Sequence, residues 1–259
     1  MPAKFKVATW NVNSLRVRLP QVLAWMRLCC PDVLAMQETK ITDAEFPADD
    51  FQDAGYEIVH SGQKTYNGVA IASRGSPRRV LTDFPDFPDP QRRLIHVEID
   101  DLCILNLYVP NGSEVGSDKY RYKLQWLSHL QDFVRTQLQR NACCIVLGDF
   151  NIAPKDEDVH DPKEWDGQVL CSGPERAEFI KLLDAGLTDC FRSFDQAEKS
   201  FTWWDYRAAS FRRNRGLRID HILAGPGLAG RCRACRIDRE PRAWDRPSDH
   251  APVIAEFER

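Results

Sequence analysis

Six stretches of this chain place polar, chemically competent residues where apolar runs end or are interrupted. VLGDFNIAP (146–154) sets Asp149 and Asn151 directly behind the apolar run 143–147. ATWNVNS supplies Asn11 and Asn13, LAMQETK supplies Gln37 and Glu38, and ILNLYVPNG supplies Tyr108 and Asn111. LRIDHIL embeds Asp220 and His221, and RPSDHAPV sets Asp249 and His250 before the last apolar run. Any one of these also suits a turn, because Asp, Asn, Gly and Pro are turn residues. Short motifs also match by chance. Six in one chain read differently. Carboxylates at the ends of buried strands are costly unless something occupies them. In α/β sheets the carboxyl ends of strands are where sites lie.

The residue types narrow the chemistry. Glu38, Asp149, Asn151 and Asp249 suit a hard divalent cation such as Mg²⁺, which prefers carboxylate, amide and water oxygens. Asp220 and His250, if they meet, form an oriented acid–base pair. This inventory suits phosphodiester hydrolysis, which needs charge neutralisation, an activated water and donors for the developing charge. A G-x-S-x-G nucleophile motif and a Gly-rich phosphate loop are both missing from the sequence.

The elements that must carry these residues are mostly strands. FKVATWN, DVLAMQE, GVAIAS, LIHVEI, LCILNLYVPN, CCIVLGDFN, RIDHILA and PVIAEFE read as strands with polar ends. Helical spacing marks 19–29 and 122–138, and 172–186 opens with a capping box, Ser172 and Glu175, and stops at Gly186. Neighbouring strands with few helices between them predict two packed, mixed sheets flanked by helices. FPDFPDPQ (84–91) reads as a surface loop.

The chain has 259 residues, 43% of them hydrophobic, with no linker-like segment, so a single domain over 1–259 is expected. No signal-peptide or membrane-span pattern is read, and a cytoplasmic location is expected. Most of the nine cysteines lie in apolar segments and read as reduced, buried thiols. The C-x-x-C at Cys232 and Cys235 lacks the second pair a structural zinc would want. Net charge is −3, yet from Arg207 to Arg246 eleven Arg face four acids, an excess of +7, so the remainder carries −10. A basic segment on an acidic body suits a directed anionic partner, or simply a solvated arginine-rich face.

ATWNVNS, MQETK, NLYVPNG, LGDFN, RIDHIL and SDHAPV, in this order, resemble the exonuclease III family of abasic-site endonucleases, within the endonuclease/exonuclease/phosphatase superfamily. The resemblance runs from Asn11 to His250. LGDFN and SDHAPV are shared across the superfamily, whereas QET-K, YVPNG and the W-x-D-Y stretch around Trp204 are closer to its DNA-repair branch.

The resemblance implies a four-layered α/β sandwich with its site in a cleft at one edge. It implies Glu38 as main metal ligand, with Asn11 and Asn13 beside it, and Asp249 at the metal or just behind it. The ion implied is Mg²⁺, with Mn²⁺ as alternative. Asp149 would activate or orient water, Asn151 would fix its position, Tyr108 would donate to the scissile phosphate, and His250, oriented by Asp220, would contact that phosphate. On the DNA side, Trp203, Leu217 and Ile219 would form an apolar pocket for a flipped baseless sugar, selecting by size. Arg207, Arg212, Arg213 and Arg215, with Asn111 and Lys119 in a second loop, would grip phosphates. Gly167, in the loop leaving the LGDFN end, either leaves room beside that sugar or serves a turn at positive φ.

The expected function is metal-dependent incision 5′ to abasic sites in duplex DNA, with 3′-end cleaning or 3′-to-5′ exonuclease activity, by a monomer without a membrane role. Alternatives are a dedicated 3′ exonuclease with weak incision, a lipid phosphodiesterase, and a catalytically dead DNA-binding module. The arginine-rich segment and YVPNG disfavour the lipid reading, and the complete polar set disfavours the dead module.

Overall fold

Two helical crossovers set the architecture of the computed structural model, which describes residues 4–259. The first runs β1 (Lys4–Asn11), α1 (Leu15–Cys29), β2 (Val33–Gln37). After α2 (Ala48–Asp53) come β3 (Glu57–Ser61), β4 (Val69–Ser73), β5 (Pro77–Leu81) and β6 (Leu94–Ile99). The second crossover is β7 (Leu102–Tyr108), α3 (Asp118–Arg140), β8 (Cys144–Asp149). There follow α4 (Pro162–Trp165), α5 (Gly173–Asp184), β9 (Thr188–Asp189), β10 (Asp220–Ala224), α6 (Pro226–Ala229), β11 (Cys232–Ile237) and β12 (Val253–Glu258).

The strands form two six-stranded sheets, ordered β11-β12-β1-β2-β4-β3 and β5-β6-β7-β8-β10-β9. Only β1–β2 and β7–β8 pair in parallel; the other pairings are antiparallel. One apolar core, including Val7, Ile71, Ile104, Leu147 and Val253, lies between the sheets. A second packs α3 and α5 on the outer face of one sheet, and a third packs α1 and α2 on the other. The result is the expected four-layered sandwich of two mixed sheets flanked by helices.

This topology brings the polar strand ends together. β1, β2, β7 and β8 finish at one edge with Asn11, Gln37, Tyr108 and Asp149. β10 runs antiparallel to β8, so it enters at the same edge with Asp220 opposite Asp149. β12 runs antiparallel to β1, which puts His250 and Asp249 there too. Gly148 makes the β7–β8 approach close: its φ is +144°, and a Cβ there would lie 2.0 Å from the Leu107 carbonyl oxygen.

Several sequence readings shift. α1 starts at Leu15, with Pro20 inside it, and α3 extends beyond 122–138 at both ends. The α5 capping box of Ser172 and Glu175 forms as expected. β3, β5, β9 and β11 carry no clear apolar run. β5 is a charged edge strand, PRRVL, and in β11 a bulge between Cys232 and Ala234 breaks the period-two pattern, so that CRACRI buries both Cys232 and Cys235. The 84–91 segment is not only surface, because Phe84 is buried edge-on against Trp126 and Phe133. All nine cysteines are free; Cys30 is exposed, Cys29 and Cys143 half-buried. Among the described residues no helix is long and apolar enough to cross a membrane.

Candidate active site

The Asn11 amide is the hub of the converging residues. Its Nδ2 donates to Glu38 Oε1 at 2.8 Å and to Asp149 Oδ2 at 2.9 Å, and its Oδ1 accepts from the Asn13 backbone N–H. Asn13 Nδ2 donates to Asp249 Oδ1 at 2.8 Å. Asn13, Glu38, Lys40 and Asn151 all take positive φ, between 43° and 54°. Such backbone costs about 1 kcal/mol or more per non-Gly residue and concentrates where function fixes the chain.

Asp149, His250 and Asp220 form a buried relay. His250 Nδ1 lies 2.9 Å from Asp220 Oδ2, and its Nε2 faces Asp149 Oδ2 at 3.8 Å. Burial alone would lower the imidazole pKa, but the Asp220 and Asp149 carboxylates outweigh it and push it up to about 10. The ring is therefore an imidazolium at neutral pH. Burial pushes the Asp149 carboxyl up to about 7, with Asp220 and Glu38 adding to the rise and His250 and Asn11 opposing it. The Tyr108 hydroxyl is raised well above its ordinary value by burial and by the Glu38 and Asp149 charges, so it stays an O–H donor. Asn151 is fixed by four bonds: its N–H donates to Asp149 Oδ1, its Nδ2 to the Val109 carbonyl, its Oδ1 accepts from Asn111 Nδ2, and its carbonyl accepts from Lys123 Nζ.

Two contributors carry weak or no signal in the sequence. Lys40 Nζ reaches Glu38 Oε2 at 2.7 Å and Asn13 Oδ1 at 2.6 Å. It stands in the QETK stretch, two residues beyond Glu38, and that spacing is the only hint. Arg93 lays its guanidinium 4.6 Å over the Tyr108 ring and donates to the Tyr108 carbonyl. Nothing in the sequence around Arg93 marks it. Arg93, Tyr108, Asn111 and Lys119 line one cleft of about 410 Å³.

The remaining predicted residues divide. Asp249 accepts from Asn13 Nδ2 and Trp203 Nε1, at 2.8 and 3.0 Å, and lies outside the group formed by Glu38, Asp149 and His250. Trp203, Leu217 and Ile219 do share one apolar cluster, but Leu217 and Ile219 are buried beneath the half-buried Trp203. Arg207 is ion-paired with Asp205 and Arg215 with Glu164. Arg212 and Arg213 are exposed on the same loop. The +7 segment is thus not one basic face: Arg218 is buried, and Arg233 pairs with Glu258. Gly167 is exposed at φ +67°, and a Cβ there would meet nothing within 4 Å.

Glu38, Asp149 and His250 each offer a ligand atom, all within 4.8 Å of one another. Glu38 and Asp149 carboxylates with the Asn11 and Asn13 amides beside them are a hard-oxygen donor set that fits a divalent cation. His250 fits it less well, because its Nδ1 is committed to Asp220.

Comparison with known proteins agrees with this geometry. The model of the Endonuclease/Exonuclease/phosphatase family matches residues 8–250. The chain is 37% identical to exodeoxyribonuclease III of Haemophilus influenzae, with 97% of this chain and 99% of that one covered. Among solved structures it is similar to the 3′ phosphatase NExo from Neisseria bound to a product DNA hairpin, at 48% identity and a TM-score of 0.97, covering 98% of this chain and 100% of that one. It is also similar to an AP endonuclease from Archaeoglobus fulgidus, at 40% identity and a TM-score of 0.93, covering 98% and 99%. The chain belongs to the endonuclease/exonuclease/phosphatase family.

Proposed function

We propose that this chain is a DNA-repair phosphodiesterase that incises duplex DNA 5′ to abasic sites and also clears blocked 3′ ends. The observation that carries the reaction is the meeting of Glu38, Asp149 and His250 within 4.8 Å, with the imidazole anchored on Asp220. The substrate reading is supported by relatives named as an AP endonuclease, an exodeoxyribonuclease III and a 3′ phosphatase holding product DNA.

In this reading Asp149 accepts a proton from the attacking water while Asn151 and Asn11 hold its two oxygens in place. The His250 imidazolium and the Tyr108 hydroxyl donate to the non-bridging phosphate oxygens, where charge builds in the transition state. Arg93 and Lys119 fix the neighbouring strand in the cleft beside Tyr108. Glu38, with Asp149 and the Asn11 and Asn13 amides alongside, would hold Mg²⁺, or Mn²⁺ in its place, which supplies neutralisation of the phosphate charge. Asp249 acts through Asn13 and Trp203. Trp203 over Leu217 and Ile219 offers the apolar wall for a sugar without a base, while Arg207, Arg212, Arg213 and Arg215 border it.

The test compares a duplex bearing one internal abasic analogue with 3′-recessed and 3′-phosphate duplexes, in Mg²⁺, in Mn²⁺ and in a chelator. Internal incision that needs the metal is expected. Removal of 3′ ends without internal incision would reduce the reading to a dedicated 3′-end enzyme. Gly167→His sharpens the distinction. In this reading Gly167 borders the sugar site, so a ring placed in its open space should depress internal incision more than 3′-end removal. Gly167→Ser carries the same positive-φ strain with little bulk and serves as the control.

A further inference from the structure

β7 and β8 carry Tyr108 and Asp149 at one end and a pair of thiols at the other. Cys103 and Cys144 are direct partners in the parallel register, five residues before the Tyr108–Asp149 pair. Both side chains point to the face covered by α3, and their sulfurs are 3.2 Å apart. Directly paired strands lie about 4.8 Å apart. That separation falls within the roughly 4.4–6.8 Å Cα range that a disulfide spans without moving backbone.

Cys103 also has a route to solvent. Though largely buried, it lines a surface cleft of about 370 Å³ together with Arg79, Gln137, Arg140 and Cys143. The hydrogen bond shared with Cys144, and then the His96 imidazole beside it, lower the Cys103 thiol against its burial. The His96 ring stands beside Cys103, and no other polar group partners its buried nitrogens. The same contact raises Cys144. An attacking thiolate with a resolving thiol in contact is the arrangement of oxidation-sensitive cysteines.

We propose that Cys103 and Cys144 are a reversible oxidation site that closes to a disulfide and staples β7 to β8 at the end remote from the catalytic residues. With hydrogen peroxide as oxidant, the Cys103 thiolate attacks one peroxide oxygen, the O–O bond breaks, and Cys103 sulfenic acid and hydroxide form. The Cys144 sulfur then attacks the Cys103 sulfur, its proton leaves with the sulfenic oxygen as water, and the S–S bond forms. The hydroxide takes up the proton that Cys103 lost on ionising, so two thiols lose two electrons, one peroxide gains them, and two waters result. A dithiol reverses the reaction. Because the two residues are already in register, closure leaves the Tyr108–Asp149 pairing unchanged.

The test treats the full-length protein with peroxide, blocks the remaining thiols and maps peptides without reduction. A Cys103–Cys144 linked peptide is expected, removed by dithiothreitol. The oxidised protein should melt at a higher temperature, because the link closes a loop of 41 residues in the unfolded chain. Its rate on the abasic-analogue duplex should be that of the reduced protein. Cys144→Ala, or Cys144→Val if the first does not fold, should leave Cys103 as a sulfenic acid that dimedone traps. A link to Cys143 instead, overoxidation of Cys103 without a link, or unreacted thiols would overturn the site. A link that forms but abolishes cleavage would overturn its remoteness from the catalytic end.

Discussion

Asp220 and His221 are neighbours on β10 and belong to two different buried charge clusters. Successive strand residues face opposite sides. Asp220 turns to His250 between the sheets, and His221 turns outward against Phe150 and Phe179. The outward cluster is closed in the sense that both of its carboxylates are paired. Arg218 donates to Asp158 at 2.6 and 3.2 Å and pairs with Asp189 at 2.9 Å; Arg192 also donates to Asp158. Burial would raise the Asp158 carboxyl, but the two arginines outweigh it and hold it below its ordinary value. The inward cluster is open. Asp220 Oδ1 is buried with no partner, and Asp149 is pushed up to about 7. A buried charge that is fully paired serves the fold. An orphaned oxygen on Asp220 beside an Asp149 carboxyl shifted by burial is instead the kind of perturbed pair that marks a functional site.

The largest expected effect comes from the open cluster. Asp149→Asn keeps the shape and the Asn11 contact but cannot take a proton. Turnover should fall about 10²–10⁴-fold, while DNA binding and the melting temperature hold. Glu38→Ala should abolish metal-dependent cleavage with the same indifference of the fold. Single-turnover cleavage beside thermal melts checks both. A melting temperature that falls with activity would make this cluster structural like its neighbour.

The closed cluster should respond in the opposite way. Arg218→Met leaves Asp158 and Asp189 buried without their main partner, and breaking such a pair costs about 3–5 kcal/mol. Urea unfolding should show that loss, while the molecules that remain folded cleave DNA. A variant as stable as the parent would show that Arg192 alone satisfies both acids.

His221 gives the closed cluster a pH signature. Burial and then the Arg218 charge lower its imidazole to about 4, against the opposing pull of Asp189, Asp158 and the Ile152 carbonyl. In the unfolded chain the ring titrates near its ordinary value of about 6.5. The unfolded state therefore binds the extra proton between these two values. The contribution is complete above about pH 6.5, shrinks as pH falls toward 4, and is level below. Its total is on the order of 3 kcal/mol. Melting temperature against pH should fall less steeply across that window in His221→Gln. Equal slopes would remove His221 as the cause.

The two clusters were not equally legible in the sequence. The open one sits at strand ends, where carboxylates and amides conflict with the apolar runs beside them; hence Asn11, Glu38, Asp149 and His250 stand out. Asp220 stands out for the same reason. The closed one is invisible, because Arg218 finds its acids at positions 158 and 189 and Asp158 takes a second arginine from position 192, and nothing local joins them. Arg93 is missed on the same ground, since its stacking on Tyr108 depends on β6 lying beside β7. Edge strand β5 and bulged β11 escape because charged residues interrupt their apolar pattern.

The smallest expected effect lies outside both clusters and applies the same contrast to surface arginines. Arg207 and Arg215 already hold Asp205 and Glu164, while Arg212 and Arg213 are exposed and make no ion pair among the described residues. A phosphate gripped by a free arginine releases counterions, and each such contact adds about one to the slope of log K against log salt. An arginine that must first leave a carboxylate contributes less, because the partner's charge remains beside the DNA. Arg212→Ala and Arg213→Ala should each flatten the slope by about one and weaken binding to all sequences alike. Arg215→Ala should change it by less, and Glu164→Gln should steepen it by freeing Arg215. Binding isotherms at several salt concentrations separate these outcomes. Equal slopes for all four variants and the parent would return the loop to a solvated arginine-rich face. A slope lost only with Arg215 would mean that the Glu164 pair holds this arginine in position for phosphate.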